Sequence, residues 1–519
     1  MIMNRKNNKI CSSLFIAALF LVNFPLLTSC SDWLDVEPET QVREETMYGK
    51  YKGFQDALIG CYAAMADRDI YGQKLTMDDI EMLACLWDPA SETDDREYYY
   101  LYEHDYSKSE AQEAIKDIYE GLYNVVVNAN NIMAHIESEG SIIPTQQARD
   151  VIEGECLAIR AFCQLDILRL FGQMPNNAQR SISLPYAEKP SIKDLPNYYG
   201  YNDYVRKLEN DLNRAEQLFA QSDPCMQYDY TSLNQQGGSP ANLDDEFLLY
   251  RQFRMNIWAV KAIKARMYMY IGDTANAYKY AKEVIDAKVG GSPVIQLAKG
   301  DLDASNNYYA LPSECLFALG NSQLIDYSID VLGGYAMQGL IKTSSTSNDN
   351  RRTCYVSPAM LTQLFTGRNL SSNNRYLRVW EQTSLDVFGG AHPTIRKYYY
   401  NTAAGGSVSV LRTKRQIMPL VRLSEQYLIA MEATTSLSEA NELYKTYMVS
   451  HEENITTDFE SKEELQAEII NEYRREFYGE GVMFYTYKRL GISNPLWCRT
   501  TMGDSQYALP LPSTEYNPN

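Results

Sequence analysis

The chain is 519 residues long, with 45% apolar and 22% charged residues, a formal charge of −19 and a mean hydropathy of −0.39. That is ordinary globular composition with ample material for a large core. The acidic balance, with a pI of about 4.8, argues against a protein that tracks nucleic-acid phosphates, which needs a basic face.

At the N-terminus, Arg5, Lys6 and Lys9 precede an apolar stretch, Ser13–Leu27, that Asn23 and Pro25 interrupt. The stretch is too short and broken for a transmembrane helix and fits the apolar region of a signal peptide. Leu27-Thr28-Ser29-Cys30 resembles a bacterial lipobox, so residues 1–29 read as a lipoprotein signal peptide and Cys30 as the lipidated first residue. Acidic residues follow at Asp32 and Asp35, and residues 30–519 read as a single domain tethered to a membrane.

Helical periodicity then dominates two blocks. Over residues 118–136, Ile118, Leu122, Val125, Ala129, Ile132 and Ile136 share one face. Residues 154–175 repeat the pattern with Ala158, Ala161, Phe162, Leu165 and Leu168, and Gly172 with Pro175 stops it. Residues 255–285 give the clearest pair. Trp258, Ala262, Ala265 and Met269 form a stripe, Gly272 suits a left-handed helix end, and Asp273 or Thr274 can cap a partner lined by Ala277, Ala281 and Ile285. Small residues and Tyr, a Gly turn, then Ala at this offset resemble a tetratricopeptide unit. A further pair is expected at 422–449, through Leu423, Tyr427, Ala430, Met431, Ala440, Leu443, Tyr444 and Tyr447.

Two segments break the pattern: 66–110, rich in acids and aromatics, and about 288–417, loaded with Gly, Ser, Asn and Tyr. Long irregular segments inside a compact domain are functional or disordered, and the Trp, Tyr, Leu and Val throughout favour function. Short strands are expected at Ile395–Tyr400 and Val408–Leu411. Eight cysteines remain after Cys11 and Cys30, scattered and without a CxxC pair, so spacing gives zinc or thioredoxin-like chemistry no support. Cys156 and Cys163 read as small core residues. His104, His135, His392 and His451 form no HExxH, and no G-x-S-x-G, Walker A or G-x-G-x-x-G motif occurs. Asp94-Asp95 reads as a solvated loop. Asp301, Asp303 and Ser305 start like a calcium loop, but Asn306 replaces the turn glycine and Pro312 the bidentate Glu, which leaves room only for loosely bound calcium.

Several long motifs, in order, make the chain similar to the SusD/RagB nutrient-binding outer-membrane lipoproteins. A G-E-x-x-x-x-R-A helix is matched by Gly154, Glu155, Arg160, Ala161, Leu168, Phe171, Gly172 and Pro175, and the element before it by Leu122, Tyr123, Ala129 and Asn130. A W-A-x-x-A-x-x-A-R block is matched by Trp258, Ala259, Ala262, Ala265, Arg266, Tyr268, Tyr270, Gly272 and Asp273. The stretch Arg422–Ala433, the run Arg474–Phe477 with Glu480, Gly481, Lys488, Arg489 and Gly491, and the ending ALPLPSTEYNPN fit as well. Val482 and Thr486 depart from the family pattern after the E-G pair.

The resemblance implies a mainly α fold: a tetratricopeptide-like helix-pair superhelix with a loop-rich, partly β non-repeat region that forms the ligand face. It implies a cell-surface, outer-membrane protein anchored through Cys30 that captures oligosaccharide for a partner SusC-like TonB-dependent transporter. It implies no cofactor and no catalysis. Peptide capture in the manner of RagB is the alternative, and a lipid-anchored hydrolase the weaker one. The motif residues Arg160, Arg266, Arg474 and Arg475 read as scaffold, held by ion pairs and carbonyl contacts. For the ligand face, which needs aromatic plates and polar hydrogen-bonding groups, the expected residues are Trp87, Asp88, Arg96, Tyr98 and Tyr99 in the first loop and Asn307, Tyr308, Tyr309 and Tyr335 in the centre. Of Tyr98, Tyr99 and Tyr100, at least one is expected to be partly exposed. Trp258 reads as core, whereas nothing around Trp380 or Trp497 marks either for function.

Overall fold

The computed structural model describes residues 39–88, 91–93, 95–176, 178–190, 196–234, 241, 243–299, 308–332, 354–381, 393–398, 416–453 and 455–516. Cys30, Asp94, the Asp301–Ser305 stretch, Asn307, Tyr335 and the expected strand Val408–Leu411 lie outside these residues. The chain divides into two compact units, residues 1–53 and 54–519. Helix Glu39–Tyr48 belongs to the first. The second holds the helical scaffold.

The scaffold helices are α1 Ser109–Glu139, α2 Gln146–Phe171, α3 Tyr201–Ser222, α4 Ile257–Ile271, α5 Thr274–Ile285, α6 Leu423–Ala433, α7 Leu437–Ser450, α8 Lys462–Glu476 and α9 Met483–Leu490. Successive members pack together as α1 on α2, α2 on α3, α4 on α5, α5 on α6 and α6 on α7. These are tetratricopeptide-like helix pairs. Local chemistry fixes their ends. The Thr145 hydroxyl accepts the Ala148 N–H at 3.1 Å to start α2, and Asn256 Oδ1 accepts the N–H groups of Trp258 and Ala259 to start α4. Gly272 ends α4 at φ +87, and the Asp273 carboxylate then caps α5 through Asn276 N–H at 3.1 Å.

The predicted α4 stripe is buried, but so is nearly every other residue of that helix, including Lys264 and Arg266. It is a central helix packed on several sides. Trp258 is core as expected, its indole N–H 3.3 Å from the Cys225 carbonyl. The amphipathic α3 carries none of the family motifs. Its Tyr204, Leu208, Leu212, Ala215 and Phe219 face inward.

Sheet is sparse among the described residues. The main antiparallel pair joins Cys315–Gly320 to Ile417–Arg422, with register shifts near Phe317. Of the expected strand at Ile395–Tyr400, Ile395 lies in the two-residue strand Thr394–Ile395, paired with Trp380–Glu381, and residues 399 and 400 lie outside the described residues.

Buried ion pairs lace the helices. Arg160 of α2 makes a two-pronged contact with Asp211 of α3, and its third nitrogen reaches Asn130 Oδ1 of α1 at 2.9 Å. One side chain thus ties three helices. Arg266 of α4 grips Glu425 of α6 in the same way and donates to the Leu420 carbonyl. Arg475 pairs with Glu468 and Glu472 and donates to the carbonyls of Leu364 and Thr366. Arg474 instead donates to the Tyr487 hydroxyl and Asn471 Oδ1. Glu155, fully buried, takes Arg251, Arg254 and the Tyr62 hydroxyl.

Gly481 shows why an E-G pair is needed after α8. Its φ is +70, and a Cβ there would sit 2.1 Å from the Leu75 carbonyl oxygen. Its N–H donates to Glu81 at 2.8 Å, and burial pushes the Glu81 carboxyl up to about 8 despite that bond. The folded form therefore holds this proton better than an unfolded chain, whose Glu titrates near 4.5. The stabilisation is complete below pH 4.5 and is lost as pH rises through 8. Glu81→Gln, permanently neutral, should raise the thermal midpoint above pH 8 and change it little below pH 4.5, which a pair of melting curves would read. A larger gain at the acid end would contradict the assignment.

Candidate functional site

The first-loop residues expected at the ligand face divide between core and surface. Cys85 leaves helix Asp79–Leu83 with a left-handed φ of +57, and the chain that follows turns inward. Trp87 is 0% exposed; its indole N–H donates to the Met77 carbonyl at 2.8 Å, and its ring meets Tyr478 edge-on at 4.9 Å. It has no free face to offer a ligand, which corrects the expectation of a stacking platform. The next residue, Asp88, forms a β-bridge with Tyr355, its N–H 2.8 Å from that carbonyl.

Tyr98 is likewise buried, donating to Asp78 at 2.8 Å, so it too is corrected to a core role. Tyr99 is the partly exposed member of the tyrosine triplet, while Tyr100 is 8% exposed and donates to Glu92 at 2.6 Å. Arg96 is exposed, 3.5 Å from Glu110. In the centre Tyr308 is half-buried and Tyr309 is buried, which removes Tyr309 as a contact.

A different cluster comes together at the surface. Helix Arg96–Tyr102 presents Tyr102 and Glu103 to the late segment that carries Trp497 and Arg499. The Tyr102 hydroxyl donates to the Trp497 carbonyl at 2.6 Å, and the Arg499 guanidinium lies 3.0 Å from Glu103 and 5.1 Å from the centre of the Tyr102 ring. The Trp497 indole N–H donates at 2.8 Å to Gln363 Oε1, on helix Pro358–Leu364. Asp88 is close enough to act electrostatically on both Tyr102 and Arg499. Trp497 is half-buried, whereas Trp87, Trp258 and Trp380 are all in the core. The cluster therefore sets one part-open indole among a guanidinium, two carboxylates and an amide. Those groups suit a ligand with flat apolar faces and many hydroxyls.

Of the residues expected from sequence, only Asp88 belongs to this cluster. Trp497 was missed. Its signal is slight: Asn494-Pro495 before it and Arg499 after it mark a turn with no helical period to bury an indole. A separate pocket, lined by Arg169, Arg266, Tyr270, Glu425, Tyr485 and Arg489 among others, is part of the framework. Its charges already pair, Arg266 with Glu425, Arg169 with Asp166 and Arg489 with Glu432.

No family model matches the chain. Over 151 residues it is 29% identical to SusD-like protein P25 of Formosa agariphila, a match that takes in 28% of each chain. Solved structures align far more fully. Surface glycan-binding protein A from Bacteroides uniformis covers 90% of this chain and 98% of its own at a TM-score of 0.66 and 15% identity. Surface glycan-binding protein A from Bacteroides thetaiotaomicron, in complex with laminarihexaose, gives the same coverage at 0.63 and 16%. A SusD superfamily protein from the same organism gives 90% and 98% at 0.62 and 19%. The chain is SusD-like in fold, as its motifs lead one to expect.

Proposed function

We propose that this chain is a cell-surface glycan-binding lipoprotein that captures oligosaccharide at the Trp497 cluster and passes it to a partner SusC-like TonB-dependent transporter in the outer membrane. The observation that carries the reading is the part-open Trp497 indole set among Asp88, Glu103, Gln363 and Arg499 on a SusD-like scaffold. An indole face stacks on a sugar ring, and charged and amide groups around it accept and donate to hydroxyls. The similar protein with laminarihexaose bound supports sugar as the ligand class. Among the described residues no helix is long and apolar enough to cross a membrane.

Calorimetry on the soluble form beginning at Ser31, against a glycan panel including laminarin oligosaccharides and a peptide panel, tests the ligand class. Glycan binding without release of cleaved product is expected; peptide binding alone would move the protein to the RagB-like reading. Trp497→Ala should weaken the best glycan by about 1–3 kcal/mol, the share of an aromatic anchor. Unchanged affinity would put the site elsewhere. Affinity purification from outer membranes should bring down a large β-barrel transporter, and its absence would remove the delivery role.

A further inference from the structure

Three side chains that the sequence keeps far apart, Cys85, His104 and Cys498, meet beneath the segment that carries Trp497. One ring nitrogen of His104 and the two sulfurs all lie within 4.8 Å of one another. Cys85 and His104 are buried and Cys498 is half-buried, so the cluster is screened on one side and reachable on the other. His104 Nε2 lies 2.9 Å from the Leu83 carbonyl. A carbonyl only accepts, so Nε2 carries the proton and Nδ1 keeps its lone pair. That Nδ1 is buried without a hydrogen-bond partner of good geometry. Buried polar atoms are rarely left so, because an unmade bond is expensive there.

The backbone reinforces the convergence. Six non-glycine residues among those described have left-handed φ, and three of them are Cys85 at +57, His104 at +55 and Trp497, next to Cys498, at +66.

We propose that Cys85 Sγ, Cys498 Sγ and His104 Nδ1 form a Zn²⁺ site, with the fourth tetrahedral position left to water. Thiolates and imidazole are the donors zinc prefers, and zinc–sulfur bonds of about 2.3 Å would draw the two sulfurs to about 3.8 Å apart in a tetrahedral array. The Leu83 carbonyl supplies the outer contact that orients a ligating histidine. Binding displaces one proton from each thiol to solvent, so Zn²⁺ and two thiols become a dithiolate complex and two protons. A Cys85–Cys498 disulfide is the competing outcome. It would need an oxidant and would leave Nδ1 without a partner. The metal would pin the Trp497 segment to the chain around 85–104, across nearly 400 residues of sequence, and this role does not depend on what the Trp497 face binds.

The test uses the whole mature chain, fully reduced, titrated with Co²⁺ and then Zn²⁺. One Co²⁺ per chain is expected, with a near-ultraviolet thiolate charge-transfer band and the visible bands of tetrahedral cobalt, both abolished by Zn²⁺. Cys498→Ser, at the half-exposed ligand, should lose most of the charge-transfer intensity with unchanged circular dichroism, and the rise in thermal midpoint that Zn²⁺ gives the parent should vanish. His104→Asn should weaken Co²⁺ binding and keep the sulfur band. The proposal is overturned if reduced protein shows no charge-transfer band, if Cys498→Ser shows the parent's band, or if protein isolated without reductant carries the Cys85–Cys498 disulfide by mass spectrometry.

Discussion

Trp87→Ala should lower the stability of the folded chain by about 3–5 kcal/mol, the range for emptying a buried aromatic site, while the glycan affinity of the folded protein stays as it was. Trp87 is 0% exposed and stands at one side of an aromatic group in which Tyr478 receives its ring edge-on at 4.9 Å and that of Trp380 at 4.9 Å on another side. The Tyr478 hydroxyl donates to the Leu86 carbonyl, so the same ring system also fixes the backbone just before Trp87. Removing the indole takes out packing on Tyr478 and orphans the Met77 carbonyl that its N–H satisfies. The hole that remains can close only if its neighbours give up contacts of their own. Urea unfolding followed by calorimetry on the folded variant separates the effects. Unaltered stability with lost affinity would return Trp87 to the ligand face.

The contrast between Trp87 and Trp497 shows what a sequence can and cannot disclose about such a chain. The scaffold was legible because it is periodic. A stripe recurring at three and four residues, Gly272 at a left-handed position and Asp273 as a cap are local signals, and the structure keeps each of them. The arginines of the motifs were legible as scaffold for a related reason: Arg160 and Arg266 sit on buried helix faces, where a guanidinium must find a carboxylate, as each does in Asp211 and Glu425. The helix α3 was passed over although its inward face has the same period, since it lacks a motif and its apolar residues are diluted by charge. The candidate site is built from tertiary coincidence. Tyr102 meets Trp497 across 395 residues and Gln363 meets it across 134. No spacing rule anticipates such pairs. The burial of Trp87 is of the same kind, since its ring packs on Tyr478 and its neighbour Asp88 bridges Tyr355, both distant in sequence.

Replacing Arg422 by Met should destabilise the fold by about 3–5 kcal/mol, the penalty for leaving buried charge without its partner. Arg422 is 1% exposed and is held by three carboxylates: Glu314, Glu476 at 2.7 Å and Glu480 at 2.8 Å. Its guanidinium also donates to the Glu476 carbonyl at 3.1 Å and lies over the Phe477 ring at 4.5 Å, so its flat faces are packed as well as its edges. It starts α6 from the end of the strand Ile417–Arg422, and through Glu476 and Glu480 it binds the end of α8 to that corner. Met restores much of the volume and none of the charge. Lys397 still serves Glu480 and Arg375 still serves Glu476, but Glu314 loses the cation paired with it. The pH dependence identifies the cause. Burial alone would raise the Glu476 carboxyl, yet the surrounding cations, Arg422 and Arg375 among them, hold it well below the usual carboxylate range. A carboxyl depressed in this way contributes stability that is present above 4.5 and is lost as pH falls through the folded value. Arg422→Met gives up part of that contribution, so its deficit should be greatest at neutral pH and should narrow as the buried carboxyls protonate on the acid side. Unfolding free energies of parent and variant measured across that range would show the narrowing, and a constant gap would mean that Arg422 acts through packing on Phe477 instead of through charge.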